Sequence, residues 1–347
     1  MRMGQTRPGL KDVAERAGVG VSSVSRVLSG HPDVSVKMRD RVMAAVDEIG
    51  YRPDIFARGL RGGPTMSVGL VIGDISNPLL SEISLGAESE LRRAGYSLLF
   101  VNSMNDPELE AQNILLFQDR HVDGLLLSLS AEDDAGVLAA LRTIQAPLVL
   151  IDRELDDSGE QLMPSAVLCD HRGGMRAAIA HLLDLGHRRI GCILGGHARF
   201  ARMRRQGVEE AYAERGLPPT YNIVQGPLDA DHGQAATSRL LDMRERPTAL
   251  VVGGNQLLKG CLRELRSRRV VVGADLSLIS CDETDLTEMH DPPIAVVRRD
   301  THQLGRTAAG LLLRRIQDPE EGPVTTVHPT QFVPRASVVP VRETAGA

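Results

Sequence analysis

From Ser67 onward, short continuous apolar runs alternate with amphipathic stretches, and this rhythm limits the fold more than any other feature. Val68–Ile72, Tyr96–Val101, Gly124–Leu129, Pro147–Ile151, Ile190–Leu194, Ala249–Val252, Leu276–Ser280 and Ile294–Val297 read as strands. Between them fall helices such as Leu80–Ala94, stopped by Gly95, one opened by the cap Asp106 with Pro107 at its first position, and one that runs from His171 to a stop at Gly186. Strands that are apolar on both faces and alternate with helices belong in parallel sheets covered on both sides, an α/β architecture. About ten such units exceed one hydrophobic core, so two similar subdomains are expected. The expected division is roughly 65–165 with 296–325, and 166–295 with 326–340, followed by a tail, 341–347. Ligands of such sheets bind beyond the carboxyl ends of the strands. That rule selects Asp74, Asn77, Asp152, Arg153, Asn255 and Asp282, which end or follow predicted strands.

The first 50 residues read differently. Leu10–Gly18 predicts a short helix with Val13, Ala14 and Ala17 on one face and a glycine stop. Gly18-Val19-Gly20 is a turn, and Val21–Leu28 predicts a second helix that buries Val24, Val27 and Leu28. Two helices joined by a short glycine turn form a helix-turn-helix, whose second helix enters the major groove of DNA. Its outward residues are Val21, Ser22, Ser25 and Arg26. Arginine pairs bidentately with guanine, serine reaches several bases, and an aliphatic side chain meets the thymine methyl. The competing reading is a small helical hairpin with a solvated polar face. A third helix, capped by Ser35, striped by Val42, Val46 and Ile49, and stopped by Gly50, completes a three-helix head. The connector 51–64 contains one predicted turn of helix from Ile55 to Leu60, marginal by itself because of its length and Gly59. Leu60 on that turn suits insertion between base pairs from the minor groove, and the plainer alternative docks Phe56 and Leu60 on the body.

Charge agrees with a DNA-facing end. The chain carries a net charge of −5, but residues 1–62 hold about +4 and the remainder about −9. There is no apolar run of membrane-spanning length, and Met1–Leu10 lacks the apolar stretch of a secretory signal. Cys169, Cys192, Cys261 and Cys281 are far apart in sequence and form no metal or CxxC spacing, so reduced thiols and a cytoplasmic setting are expected, with no metal and no cofactor. The sequence holds no GxGxxG after a strand, no Walker motif and no nucleophile elbow. Enzymatic chemistry therefore has no support. A solute-binding protein or a sugar-metabolising enzyme would fit the core alone; the head and the lack of a leader speak against the first, and the missing catalytic constellation against the second.

Ordered matches along the chain carry a family resemblance: Asp12-Val-Ala-Glu-Arg-Ala-Gly-Val19, Val24-Ser-Arg-Val-Leu28, Gly50-Tyr-Arg-Pro53, Ala57-Arg58 with Leu60, Asp74-Ile-Ser-Asn-Pro78, Val122-Asp-Gly124, Leu150-Ile-Asp-Arg153, Gly186-His-Arg-Arg-Ile190 and Asp291-Pro-Pro-Ile294. With these stretches the chain resembles the lactose-repressor (LacI/GalR) family of bacterial transcription regulators over nearly its full length. The resemblance implies a three-helix DNA head, a hinge helix, and a core like the periplasmic sugar-binding proteins. It also implies a homodimer that reads a near-palindromic operator under the control of a small effector. By resemblance, Val21, Ser22 and Arg26 read bases and Leu60 enters the minor groove, with Lys11, Ser25, Tyr51 and Arg58 completing the DNA-binding set. Effector contacts are implied at Asp74, Asn77, Asp152, Arg153, Arg204, Asn255, Asp282 and Arg299. The plainer readings are an exposed helix arginine for Arg204 and strand-end capping for Asp152 and Asp282.

Four departures stand out. Gly20 replaces a usual serine, Gly59 another serine, Asp54 an asparagine, and Gly254-Asn255 an Asn-Asp pair. Aromatic residues make up only 3% of the chain and tryptophan is absent, which leaves Phe200 and Tyr221 as candidates to stack on a sugar ring. Arg153, Arg204 and Arg299 against Asp74, Asp152 and Asp282 suggest a polyhydroxylated ligand, with a carboxylate or phosphate as an added option for the arginines. The tail carries no leucine heptad, so a dimer is expected rather than a coiled-coil tetramer.

Overall fold

A computed structural model describes residues 8–28, 31, 33–51, 63–155, 162 and 164–341. The chain divides into two compact units, Met1–Thr65 and Met66–Ala347. The expected hinge helix, with Asp54, Arg58, Gly59 and Leu60, lies outside the described residues.

In the first unit the helices α1 (Leu10–Ala17), α2 (Val21–Leu28) and α3 (Val36–Ile49) close around Val13, Ala14, Ala17, Val24, Val27, Val42, Ala45 and Val46. The local signals act as predicted. Gly18 takes φ +61°, a left-handed conformation that costs glycine nothing, and its N–H bonds the last carbonyls of α1. The Ser35 side chain accepts from the Met38 N–H at the start of α3, and Gly50 at φ +67° ends that helix. Arg41 donates to the Gly18 carbonyl at 3.2 Å and ties α3 to the turn.

The second unit follows the predicted rhythm and adds four strands that the sequence reading did not include, Ser165–Cys169, Asn222–Gly226, Thr325–His328 and Gln331–Val333. β1 (Ser67–Ile72), α4 (Pro78–Arg93), β2 (Ser97–Asn102), α5 (Pro107–Asp119), β3 (Gly124–Ser128), α6 (Ala135–Thr143), β4 (Leu148–Ile151) and β5 (Ser165–Cys169) come first. α7 (His171–Asp184), β6 (Ile190–Gly195), α8 (Arg199–Ala213), β7 (Asn222–Gly226), α9 (Ala230–Leu241), β8 (Ala249–Val252), α10 (Asn255–Ser267), β9 (Ser277–Cys281), α11 (Asp285–Met289) and β10 (Ala295–Arg298) follow. α12 (Thr301–Gln317), β11 (Thr325–His328) and β12 (Gln331–Val333) close the chain. One sheet has the order β11-β5-β4-β3-β1-β2 and is parallel throughout; the other has the order β12-β10-β9-β8-β6-β7 and is parallel except for β12. Buried apolar clusters line both faces of each sheet, as continuous apolar strands require. Among the described residues no helix is long and apolar enough to cross a membrane.

The chain passes between the two lobes three times, and each passage lies a few residues from its expected place. β5 pairs with β4, so the first passage follows Cys169 rather than residue 165. β10 pairs with β9 in the second sheet, so the return comes at Arg299 and not before 296. β11 pairs with β5, which moves the last passage from 325 to beyond His328. Register with strands distant in sequence decides these points, and local patterning does not contain it. The passages lie together: Asp170 N–H donates to the His328 carbonyl at 2.9 Å, and Thr330 Oγ1 donates to the Asp170 carbonyl at 2.7 Å.

Candidate functional site

On the head, α1 and α2 bury one stripe each, and their other residues face outward. Val21, Ser22, Ser25 and Arg26 are exposed on α2, and Lys11 is exposed on α1. Val21 keeps 43% of its surface although it is aliphatic. Tyr51 differs from these five residues, because it is half-buried against the head core. The Gly20 carbonyl accepts from the Ser23 and Val24 N–H groups at 2.9 and 3.2 Å and starts α2. A Cβ at Gly20 would meet only Ser22 Oγ at 3.7 Å, so the departure from serine is not forced by space.

Between the lobes of the second unit lies a cleft with about 680 Å³ of empty space, its open mouth included. All eight residues selected from the sequence line it: Asp74, Asn77, Asp152 and Arg153 from the first lobe, Arg204, Asn255 and Asp282 from the second, and Arg299 from the returning passage. Asp152 follows β4 and Asp282 follows β9, both at positive φ, +54° and +73°, which aspartate tolerates better than most residues. The Arg299 side chain, 6% exposed, lies between them. Its Nε donates to Asp282 Oδ1 at 2.8 Å and its Nη1 ion-pairs with Asp152. Asp152 also accepts from the Cys169 N–H at 3.1 Å and from His171 Nε2 at 2.9 Å. Burial would raise the Asp152 carboxyl, but the His171 ring and the Arg299 guanidinium outweigh it and hold the group well below the usual carboxylate range. Burial in turn pushes His171 down to about 4, against the pull of Asp152 and with Arg204 and Arg299 reinforcing. The ring is therefore neutral near pH 7, with Nε2–H donated to the carboxylate. Asp152 and Asp282 thus do more than cap strand ends, since both are joined through Arg299.

Asp152, Cys169 and His171 place possible metal-ligand atoms within 4.8 Å of one another, a juxtaposition that sequence spacing did not reveal. The donor set does not suit a metal. Arg299 Nη1 stands 3.8 Å from Cys169 Sγ and 3.4 Å from His171 Nε2, so a cation already occupies the cluster. Burial also pushes the Cys169 thiol up to about 12, away from the thiolate a metal needs.

Beside this cluster the Phe200 ring meets the His171 ring edge-on at 6.2 Å between centroids, and two guanidinium groups lie over it, with Arg153 Cζ at 5.0 Å and Arg204 Cζ at 5.3 Å from its centroid. Arg204 is 4% exposed, which rules out the plainer reading of a solvated helix arginine, and its Nη1 donates to the Gly253 carbonyl at 2.9 Å. Arg153 directs Nε to the Leu129 carbonyl and Nη1 to the Asp152 carbonyl. Tyr221, the other aromatic candidate, stacks edge-on against Tyr212 in the second-lobe core and does not line the cleft.

The mouth is bridged. Asn255 Nδ2 donates to Asn77 Oδ1 at 3.2 Å, and Gln256 Nε2 donates to Asp74 Oδ2 at 2.8 Å. Burial works to raise the Asp74 carboxyl, but hydrogen bonds from Ser76 and Gln256 and the charge of Lys259 bring it below its ordinary value. Asn255 Oδ1 is buried with no hydrogen-bond partner. Gly254 before it sits at φ +147°, a conformation that glycine adopts freely and that would strain a side chain. Gln256, Asn105, Ser128 and Leu228 also line the cleft and escaped the sequence reading, as did Glu132 behind it. Gln256 adjoins the selected Asn255, the one signal that pointed to it.

Comparison with known proteins agrees with both regions. The family model for bacterial regulatory proteins of the lacI family matches residues 9–54, and that for the periplasmic binding protein-like domain matches 179–338. The HTH-type transcriptional repressor PurR of Haemophilus influenzae (strain PittEE) is 31% identical over 319 residues, covering 90% of this chain and 92% of that protein. Among solved structures, a lac repressor dimer bound to operator and the anti-inducer ONPF superposes with a TM-score of 0.81 at 26% identity, covering 96% of this chain and 100% of that one. A complex of the transcriptional regulator CelR with cellobiose gives a TM-score of 0.71 at 30% identity with the same coverage. Relatedness of this degree over nearly the whole of both chains means that the chain belongs to the lacI family of bacterial regulatory proteins, which are DNA-binding transcriptional regulators.

Proposed function

We propose that this chain is a cytoplasmic, homodimeric repressor, released from or recruited to a near-palindromic operator by a neutral, polyhydroxylated sugar held in the inter-lobe cleft. The observation that carries the ligand class is the state of the arginines. Arg299 is taken up by Asp152 and Asp282, and Arg153 bonds two backbone carbonyls. The two carboxylates neutralise Arg299, and the carbonyl bonds leave Arg153 only part of its donors, so no pair of arginines stands ready to clamp an anion. What the cleft offers instead is the orphaned Asn255 Oδ1, which needs a donor, the remaining N–H groups of Arg204, which need an acceptor, and an apolar wall of Phe200, Leu80 and Leu228. A hydroxyl both donates and accepts, and a sugar ring has an apolar face. The CelR complex with cellobiose and the operator-bound lac repressor dimer support the same reading.

The contact with a second copy of the chain is assigned to the outer edge of the first lobe. β2 is an edge strand with Leu99 and Phe100 exposed, and Leu85, Met104, Leu115 and Leu116 are exposed on neighbouring elements. A long apolar edge left in water invites pairing, so the homodimer is assigned to this face.

Calorimetric titration with D-ribose, D-glucose and cellobiose, and with gluconate and glucose 6-phosphate, tests the ligand class. A neutral sugar should bind, and Arg204→Ala should weaken it by roughly tenfold to a hundredfold, the loss of a hydrogen bond from a charged donor. Tighter binding of the acid or phosphate by tenfold or more would replace the neutral ligand with an anionic one.

A further inference from the structure

Most helices of the second unit start on their own cap: Asn77, Asp106, Asp134, Asp170, Asp229 and Asp300 each accept from a first-turn N–H. α8 differs. Its cap position is Ala198, which has no side-chain acceptor, as Gly254 has none at the start of α10. The first N–H of α8, on Arg199, is bonded instead by Glu132 Oε2 at 2.8 Å, and Glu132 belongs to the β3–α6 loop of the other lobe. The other oxygen of the same carboxylate accepts from the Glu154 N–H at 3.2 Å, within the first lobe. Glu132 is 4% exposed, so this position holds the carboxylate out of water. Two further contacts cross beside it: Arg202 Nη1 lies 3.6 Å from Glu132, and Arg199 Nε lies 3.6 Å from Glu154 Oε2. An uncapped helix start carries unsatisfied N–H groups and partial positive charge, and a carboxylate there serves both.

We infer that Glu132 is a positioning residue for effector binding: the first lobe supplies the missing cap of α8, and so sets Phe200 and Arg204, on the first turns of that helix, over the ligand. The inference rests on the cleft being the effector site. Glu132 does not line the ligand space; its charge also bears on Arg153, which does, but its hydrogen bonds go to the Arg199 and Glu154 N–H groups, so its hold on Phe200 and Arg204 runs through the helix. The cap exists only while the lobes are together, because Glu132 and α8 lie on opposite sides of the cleft. It thereby links closure to the order of the two residues that meet the sugar.

Hydrogen exchange on the full-length, ligand-free protein, resolved to single amides, decides the matter without knowledge of the ligand. In Glu132→Ala the Arg199 amide should exchange about tenfold faster or more, the loss expected for a hydrogen bond to a charged acceptor. The Gly173 amide, capped by Asp170 within its own lobe, should not change. Glu132→Gln keeps a carbonyl acceptor and should fall between. Unchanged exchange at Arg199, or equal acceleration at Gly173, overturns the inference. Titration of the same variants with D-ribose and cellobiose provides a second reading: whichever sugar binds the wild type should bind Glu132→Ala about tenfold more weakly, and undiminished binding would also overturn the inference. If neither sugar binds the wild type, the sugar reading of the cleft fails, and the exchange rates still decide the role of Glu132.

Discussion

Asp152 and Asp282 hold corresponding places in the two lobes: each follows a strand, β4 or β9, at positive φ, and each presents its carboxylate to the one guanidinium of Arg299. Arg299 itself lies on a passage between the lobes, so one buried ion triad joins both strand ends to the joint. Removing the cation would leave two buried carboxylates without their shared partner.

Arg299→Leu should therefore destabilise the protein by about 3–5 kcal/mol, the cost of leaving a buried charge without its partner. Urea unfolding followed by circular dichroism measures it. A loss under about 1 kcal/mol would mean that water reaches the triad and that Arg299 does not hold the joint.

The His171 ring gives the protein an acid-sensitive window. Its folded value lies near 4, below the roughly 6.5 of an unfolded histidine, because the site is buried and two arginines face it. Between these values the unfolded chain binds more protons, so stability is present above about pH 6.5 and is lost as pH falls toward 4. Glu110 and Glu132, raised by burial, act in the opposite direction at the acid end, so the comparison must be with a variant. His171→Gln keeps an N–H for Asp152 and removes the titration. The wild type should lose up to about 3 kcal/mol more than His171→Gln between pH 7 and pH 4, and parallel pH profiles would refute this.

Local chemistry explains which parts were readable in advance. The head came from signals within a few residues: the glycine stops at Gly18 and Gly50, the Ser35 cap, and stripes such as Val42 and Val46. The strands β1, β3, β6 and β8 came from continuous apolar runs. β7, β11 and β12 are short and half-exposed, and only their distant partners make them strands. The cleft set was readable because strand ends face it by rule, and the family resemblance supplied Arg204 and Arg299. The partners of that set were not readable. His171 lies 19 residues from Asp152, and Arg299 lies 147, and the fold alone brings them together. Glu132 looked like one more loop carboxylate, since nothing local reveals that the helix opening at Arg199, 67 residues later, starts without a side-chain cap.

All four cysteines are buried and unbonded, and burial pushes Cys169, Cys192 and Cys261 up to about 12 and raises Cys281 as well. The native protein should leave all four unlabelled by a thiol reagent over the time in which the denatured chain reacts fully. Rapid labelling of Cys169 in the native state would mean that the cleft floor opens to solvent.

Gly20→Ser should improve the head. The position has room for a side chain, and a serine there can bond the first-turn N–H groups of α2 and reach a phosphate. The gain should be a few tenths of a kcal/mol in stability, with operator binding roughly twofold to threefold tighter at fixed salt. Fluorescence anisotropy against one duplex checks it, and weaker binding would show that the glycine is needed for close approach to the DNA.

α2 is the element proposed to read DNA sequence. Selection from a pool of random duplexes, with sequencing of the bound fraction for wild type and Arg26→Ala in parallel, tests it most directly. The expected result is a near-palindromic site enriched by the wild type, with two half-sites on a two-fold axis, and loss of discrimination in the variant at the position Arg26 reads, worth about 1–3 kcal/mol. Enrichment of no site, with binding governed by salt alone, or the same site at full contrast in Arg26→Ala, would contradict it.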